Sequence, residues 1–166
     1  KHNRVRRQRQ MCIRDSDIAA VAAMSGLNVS LSDVNSSAIE SAINRSANLF
    51  ARRLKIDEKI AAATERLKAD PGGDHAANAD LVIEAVAEKL SVKQAVFADL
   101  EKIIKPGAIL ATNTSAIPLE DIATALNDPS RLIGLHFFNP VPVLPLVEVI
   151  WSIHSNQDLV LSLIHI

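Results

Sequence analysis

Residues 109–150 read ILATNTSAIPLEDIATALNDPSRLIGLHFFNPVPVLPLVEVI. Two short apolar runs, Ile109-Leu110-Ala111 and Leu132-Ile133-Gly134-Leu135, read as buried strands, and each gives way at once to polar or turn-forming residues. Ser115, His136, Asn139 and Glu148 therefore fall near the ends of apolar runs. In an open α/β sheet that is the crevice beyond the carboxyl ends of the strands, where ligands bind.

Outward from this stretch the same alternation continues. Leu81 to Val86 (LVIEAV) has the β-branched composition of a strand buried in a parallel sheet. Ser91 to Ile104 sets Val92, Val96, Leu100 and Ile103 on one helical face, and Lys105-Pro106-Gly107 stops it. Asn28 to Asp33 (NVSLSD) alternates like a strand and ends on an acid, preceded by an alanine-rich helix from Asp17 that stops at Gly26. Ser36 to Lys68 reads as one long helical region, with Ile39, Ile43, Ala47 and then Phe50 or Leu54 at helical intervals, closed by a Pro-Gly-Gly loop at 71–73. His75, beside that loop, is expected to face solvent. Strand, helix, strand, helix and strand in turn predict an α/β fold: a Rossmann-like, doubly wound, mostly parallel sheet. No internal repeat or low-complexity segment interrupts it.

The composition excludes several classes. The chain has 166 residues, 48% of them apolar, and a formal net charge of −1, which suits one domain with a sizeable core and gives no concentrated basic face for nucleic acid. No apolar run approaches the ~20 residues that span a bilayer, and no signal-peptide pattern opens the chain. A cytoplasmic protein, without nucleic-acid or membrane partners, is the expectation. Cys12 is the sole cysteine, so neither a disulfide framework nor a cysteine-based zinc site can be built, and no metal is expected.

The two ends read differently from the rest. MCIRDS (residues 11–16) and LSLIHI (residues 161–166) can be encoded by one DNA element and its reverse complement, in the manner of a sequencing adapter. Residues 1–16 and 161–166 are accordingly set apart as adapter-like tails, leaving 17–160 as a partial domain. On that division the first strand and its G-x-G-x-x-G turn are missing. Such a chain is expected to bind NAD weakly and to melt without cooperativity, since in a 3-2-1-4-5-6 sheet the first strand lies centrally and residues 9–14 would pair there only by burying charge.

NTSAIP followed by HFFNPVPVLPLVEVI resembles the 3-hydroxyacyl-CoA dehydrogenases of fatty-acid β-oxidation, and the likeness extends back through ADLVIEAVAEKLSVKQAVFADLEKIIKPGAILATNTS to Asp17. The resemblance implies NAD as cofactor, an acyl-CoA substrate, and an all-helical C-terminal domain, absent from this sequence, that completes the site and carries dimer contacts. The DIAA opening and the long 36–68 region look most like the dehydrogenase part of multifunctional β-oxidation proteins. A short-chain 3-hydroxybutyryl-CoA dehydrogenase and a non-catalytic nucleotide-binding relative are the competing readings. The parent is expected to be a homo-oligomer or part of a β-oxidation complex.

Oxidising a secondary alcohol requires hydride transfer to the cofactor and removal of the hydroxyl proton. A neutral imidazole can take that proton near neutral pH, which makes His136 the candidate base. A lone histidine beside Phe137 and Phe138 is more often a core residue; Glu148 argues otherwise, because the apolar stretch Val143 to Val147 can fold back and set its carboxylate on the ring. The family uses such a His–Glu pair, and both positions match. Ser115 can donate to the substrate oxygen, against the local reading of Asn113-Thr114-Ser115 as turn chemistry. In the family the matching serine contacts the substrate hydroxyl, and Asn139 matches an asparagine lining the same pocket.

Asp33 stands at a strand end, where a dinucleotide-binding unit keeps its ribose-binding acid, although it can equally start a turn or cap the next helix. Glu88 and Lys93 match residues near the nicotinamide side of the cofactor; on their own they read as helix-surface charges. Arg45, Arg52, Arg53 and Lys55 form a basic face, read as solvated rather than as a CoA phosphate site. Trp151 departs from the small, polar or basic residue common in the family at that place.

Overall fold

The computed structural model describes residues 14–164. The basic run Lys1 to Arg9 and Cys12 lie outside them, as do residues 9–13 of the segment 9–14 expected to pair only by burying charge; Arg14 is helical. The described residues divide into two compact units, one of residues up to 75 with 138–145, the other of residues 76–137 with those from 146 onward.

The first unit opens with α1 (residues 14–24). Gly26, at φ 99°, ends it in the left-handed conformation that glycine adopts without strain. A parallel strand β1 (Val29–Leu31) follows, and α2 (Ser36–Leu54) begins at the N-cap Asn35, whose side chain accepts from Ser37 N.

The region from 36 to 68 is not one helix. Lys55 takes a left-handed φ of 53° and ends α2; α3 (Asp57–Arg66) restarts with two acids in its first turn, and β2 (Leu67–Ala69) pairs in parallel with β1, Val29 opposite Leu67. Leu67-Lys68-Ala69 continues the helical composition of α3, so local propensity hides the strand. Pairing with β1, nearly forty residues earlier, overrides it. The core of this unit gathers Ala19, Ala20 and Ala23 of α1 with Leu49, Phe50, Ala63 and Leu67. Alanines on α1 let the helices approach closely. His75 is exposed as expected, its side chain 3.4 Å from the buried Asp70 carboxylate, which also accepts from the backbone of Asp74 and His75.

In the second unit four strands lie in the order β3-β4-β5-β6: β3 (Leu81–Glu84), β4 (Ile109–Thr112) and β5 (Leu132–Phe137) parallel, and β6 (Val147–Ile150) antiparallel against β5. Phe97 of α4 (Leu90–Ile103) and Leu119, Ile122 and Ala123 of α5 (Leu119–Ala123) share a core with Leu110 and Leu132. Val160 of α6 (Gln157–Ile164) shares another with Ala111, Ile133 and Leu135. Successive strand residues point to opposite faces, so the apolar runs that identified β4 and β5 are buried on both sides.

The packed face of α4 differs from the stripe read in the sequence. Ile103 is 51% exposed, while Lys93 and Phe97, one helical turn apart, are buried. Helices α1 and α6 run across the two junctions at which adapter-like sequence was set apart. Ser16 is buried with Arg45 Nε donating to its hydroxyl at 3.0 Å, and Val160 is buried immediately before Leu161.

Candidate functional site

The parallel strands of the second unit bring their carboxyl ends to one edge, and hydrogen bonds continue past each strand. Asn113 N donates to Glu84 O, extending the β3–β4 ladder by a residue. The Asn113 side-chain oxygen accepts from Phe137 N at 3.1 Å, so one buried amide holds the ends of β4 and β5 together. This is the structural part that a turn-forming asparagine can play.

His136 and Glu148 are directly opposite each other across β5 and β6, and their side chains meet: Nδ1 and Oε2 are 2.9 Å apart. The imidazole is 15% exposed and the carboxylate 53%. Glu148 lies within β6 rather than after it, because the strand starts at Val147, later than the apolar stretch suggested. Fold-back still achieves the pairing, since opposite residues in an antiparallel ladder point to the same face. Gly134 permits it. A Cβ there would sit 2.9 Å from the Cβ of Ile150, the residue opposite, so the two strands come close only because position 134 lacks a side chain. With the proton on Nδ1 donated to Glu148, the other ring nitrogen, Nε2, is the basic one.

Ser115 is exposed in the turn after β4, at a cavity of about 270 Å³ lined by Thr114 to Glu120 together with Ile150 and Trp151. Trp151 is 58% exposed there. Glu88 follows β3, its side chain 41% exposed. Lys93 is not a surface charge: only 1% exposed, its ammonium lies 2.8 and 3.1 Å from the two oxygens of Glu84 and 3.7 Å from Glu88. Glu84 sits inside an apolar run and so carries no local mark of a site; an acid amid LVI-AV, nine residues before a lysine on an apolar helix face, is the signal the sequence offers.

In the first unit Asp33 is exposed two residues beyond β1, its carboxylate accepting from Asn35 N at 2.8 Å. It thus starts the turn into α2 while keeping an oxygen toward solvent. Asn139 is exposed and precedes Pro140 through a cis peptide, and Pro140 O accepts from the backbone N–H groups of Val143 and Leu144. Arg53, from the basic face of α2, donates to Pro142 O at 2.9 Å. The structure thus joins His136 with Glu148 and Glu88 with Lys93. Among the described residues no group of three or more histidines, cysteines and acids is placed to hold a metal ion, and no helix is long and apolar enough to cross a membrane.

A parallel α/β sheet whose acids, serine and histidine collect at strand ends defines the class of dinucleotide-binding dehydrogenase domains. The family described as 3-hydroxyacyl-CoA dehydrogenase, NAD binding domain, matches residues 15–166, and the chain belongs to it. A probable 3-hydroxybutyryl-CoA dehydrogenase of Bacillus subtilis is 38% identical over 89% of the chain and 53% of its own length. A fatty acid oxidation complex subunit alpha of Ectopseudomonas oleovorans is 38% identical over 87% of the chain and 21% of its own length. Among solved structures, a 3-hydroxybutyryl-CoA dehydrogenase of Escherichia coli K12 superposes with a TM-score of 0.87 at 37% identity, over 91% of this chain and 33% of that one. The chain thus spans about half the length, or less, of these relatives.

Proposed function

We propose that this chain forms the nucleotide-binding half of an enzyme that oxidises (3S)-3-hydroxyacyl-CoA to 3-oxoacyl-CoA with NAD in fatty-acid β-oxidation. The observation that carries the proposal is the His136–Glu148 pair at 2.9 Å, displayed at the carboxyl ends of parallel strands. His136 accepts the substrate hydroxyl proton on Nε2. Glu148 fixes the tautomer and stabilises the imidazolium that results. Ser115 donates to the substrate oxygen, and Asn139 is assigned to substrate binding as the asparagine of the same motif is in the family. Exposed acids beyond β1 and β3 suit the polar ribose units of a dinucleotide: Asp33 takes the adenosine ribose, and Glu88, backed by Lys93, serves the nicotinamide side. NAD, when bound, supplies the acceptor for the hydride leaving the carbinol carbon.

The exposed apolar residues Leu146, Val147 and Ile153 of the second unit support a further helical domain in the parent, which would complete the site and carry oligomer or β-oxidation-complex contacts. A cytoplasmic setting is part of the same proposal. The relatives' names include both 3-hydroxybutyryl-CoA dehydrogenase and a fatty acid oxidation subunit, so a short-chain enzyme is the second reading. The test is NADH formation by the full-length parent on (3S)-3-hydroxyacyl-CoA substrates of increasing chain length. Turnover confined to the four-carbon substrate selects the short-chain enzyme, and no turnover on any of them overturns the proposal.

A further inference from the structure

Behind the strand ends lies a closed ring of polar groups within the second unit, all side chains but for one backbone N–H. Glu84, at the end of β3, is 3% exposed; its Oε1 accepts from Lys93 Nζ at 2.8 Å and Val86 N at 2.6 Å, and its Oε2 from Lys93 Nζ at 3.1 Å and Thr112 Oγ1 at 2.7 Å. Thr112 Oγ1 in turn accepts from Thr114 N at 3.4 Å. The Thr114 hydroxyl donates to Glu88 Oε1 and accepts from Ala116 N at 3.2 Å and Ile117 N at 3.3 Å. Glu88 Oε2 returns to Lys93 Nζ at 3.7 Å, which closes the ring.

We infer that Glu84 is a positioning residue for this reaction, acting through Thr112 and Thr114 on Ser115 and through Lys93 on Glu88. Ser115 is held on both sides, by Thr114 before it and by the amides of Ala116 and Ile117 after it, and every one of those bonds belongs to the ring or hangs from it. Stability alone gives no reason for the ring, since a buried ion pair is commonly matched or exceeded by apolar residues of equal volume. An apolar filling would close the space between β3 and α4 but could offer nothing to the turn that carries Ser115. Lys93, covered by protein acceptors, reaches a cofactor by holding Glu88.

This inference rests on the reading of the chain as a dehydrogenase, and the experiment separates the two. In the full-length parent, Glu84→Gln is compared with Thr114→Val, Thr114→Ser and Ser115→Ala, measuring kcat and KM and, by calorimetry without turnover, the Kd for NAD. Glu84→Gln and Thr114→Val are expected to lower kcat up to about 10²-fold, as displacement of a reacting group does. Thr114→Ser, which keeps the hydroxyl, should restore most of it. Added to Ser115→Ala, Glu84→Gln should cost little more in kcat, because a residue that acts through another loses its effect when the other is gone. NAD binding should weaken about tenfold in Glu84→Gln, as for other outer contacts that orient a ligand-binding group. If Glu84→Gln does not fold, Thr112→Val, which keeps the ion pair, carries the kcat expectations alone, with NAD affinity retained. A lower Tm with kcat and NAD affinity unchanged, or full additivity with Ser115→Ala, overturns the inference. An inactive wild-type enzyme would instead overturn the dehydrogenase reading, and the calorimetric comparison would still test the ring.

Discussion

Replacing Glu148 by glutamine removes one charge and keeps a hydrogen-bond acceptor at the same place, which isolates what the carboxylate does for His136. At 2.9 Å, the attraction between a carboxylate and the imidazolium formed as the substrate loses its proton is about 1.4 kcal/mol at the dielectric constant of water and about 6 kcal/mol at an effective value of 20. Glu148 is 53% exposed, so solvent screens the pair and the lower figure governs. Glu148→Gln is therefore expected to lower kcat about tenfold. His136→Ala removes the base itself and should cost about 10² to 10⁴-fold. Neither should change the Kd for NAD much, because neither residue is assigned to the adenosine half. The assay is NADH formation by the full-length parent, with calorimetry for the cofactor. Glu148→Gln as damaging as His136→Ala would refute the reasoning, since the carboxylate would then be doing chemistry rather than holding a charge. Near-native turnover in His136→Ala would remove the histidine from its role.

Gly134→Ala should destabilise by about 1–3 kcal/mol, as overpacking does, and lower kcat by pushing β6 away from β5, since the added Cβ would meet Ile150 at 2.9 Å; a denaturant midpoint and turnover equal to the parent's would show that the strands can part without disturbing the His136–Glu148 pair. Asp33→Ser should raise the acceptance of NADP relative to NAD, because the carboxylate that would repel a 2′-phosphate is gone; steady-state kinetics showing an NADP preference before any substitution would dismiss Asp33 from the ribose. Glu101 contributes a pH dependence. Burial raises its pKa, but hydrogen bonds from the Asn127 and Asp128 amides and the Asn127 side chain, with Arg131 nearby, outweigh this and hold the carboxyl below its ordinary value of 4.5. A pKa lowered on folding gives stability that is present above the unfolded value and lost as pH falls through the folded one. Glu101→Gln should thus melt at lower temperature than the parent at neutral pH, with the gap closing as pH falls below 4.5; a gap that persists in acid would mean that its cause is not the charge.

The sequence by itself determined the fold class and the identity of the paired groups. Buried strands such as Ile109 to Thr112 and Leu132 to Phe137 are legible because burial on both faces demands continuous apolar runs. His136 is legible because it stands near the end of such a run, and Glu148 because an apolar stretch precedes it in the sequence. What the sequence hid was decided by pairings between distant residues. Leu67 to Ala69 becomes a strand only because β1 offers it a ladder, against its own helical composition. Glu148 belongs to the middle of a strand because the antiparallel register matches Gly134 with Ile150, a contact that only a residue without a side chain allows. Lys93 reads as a surface charge, yet is buried because Glu84, on a different element, meets it with a carboxylate. Charge on a helix face ordinarily means solvent; only the tertiary structure reveals that a counter-charge waits on the other side, and there the support beneath Ser115 is built.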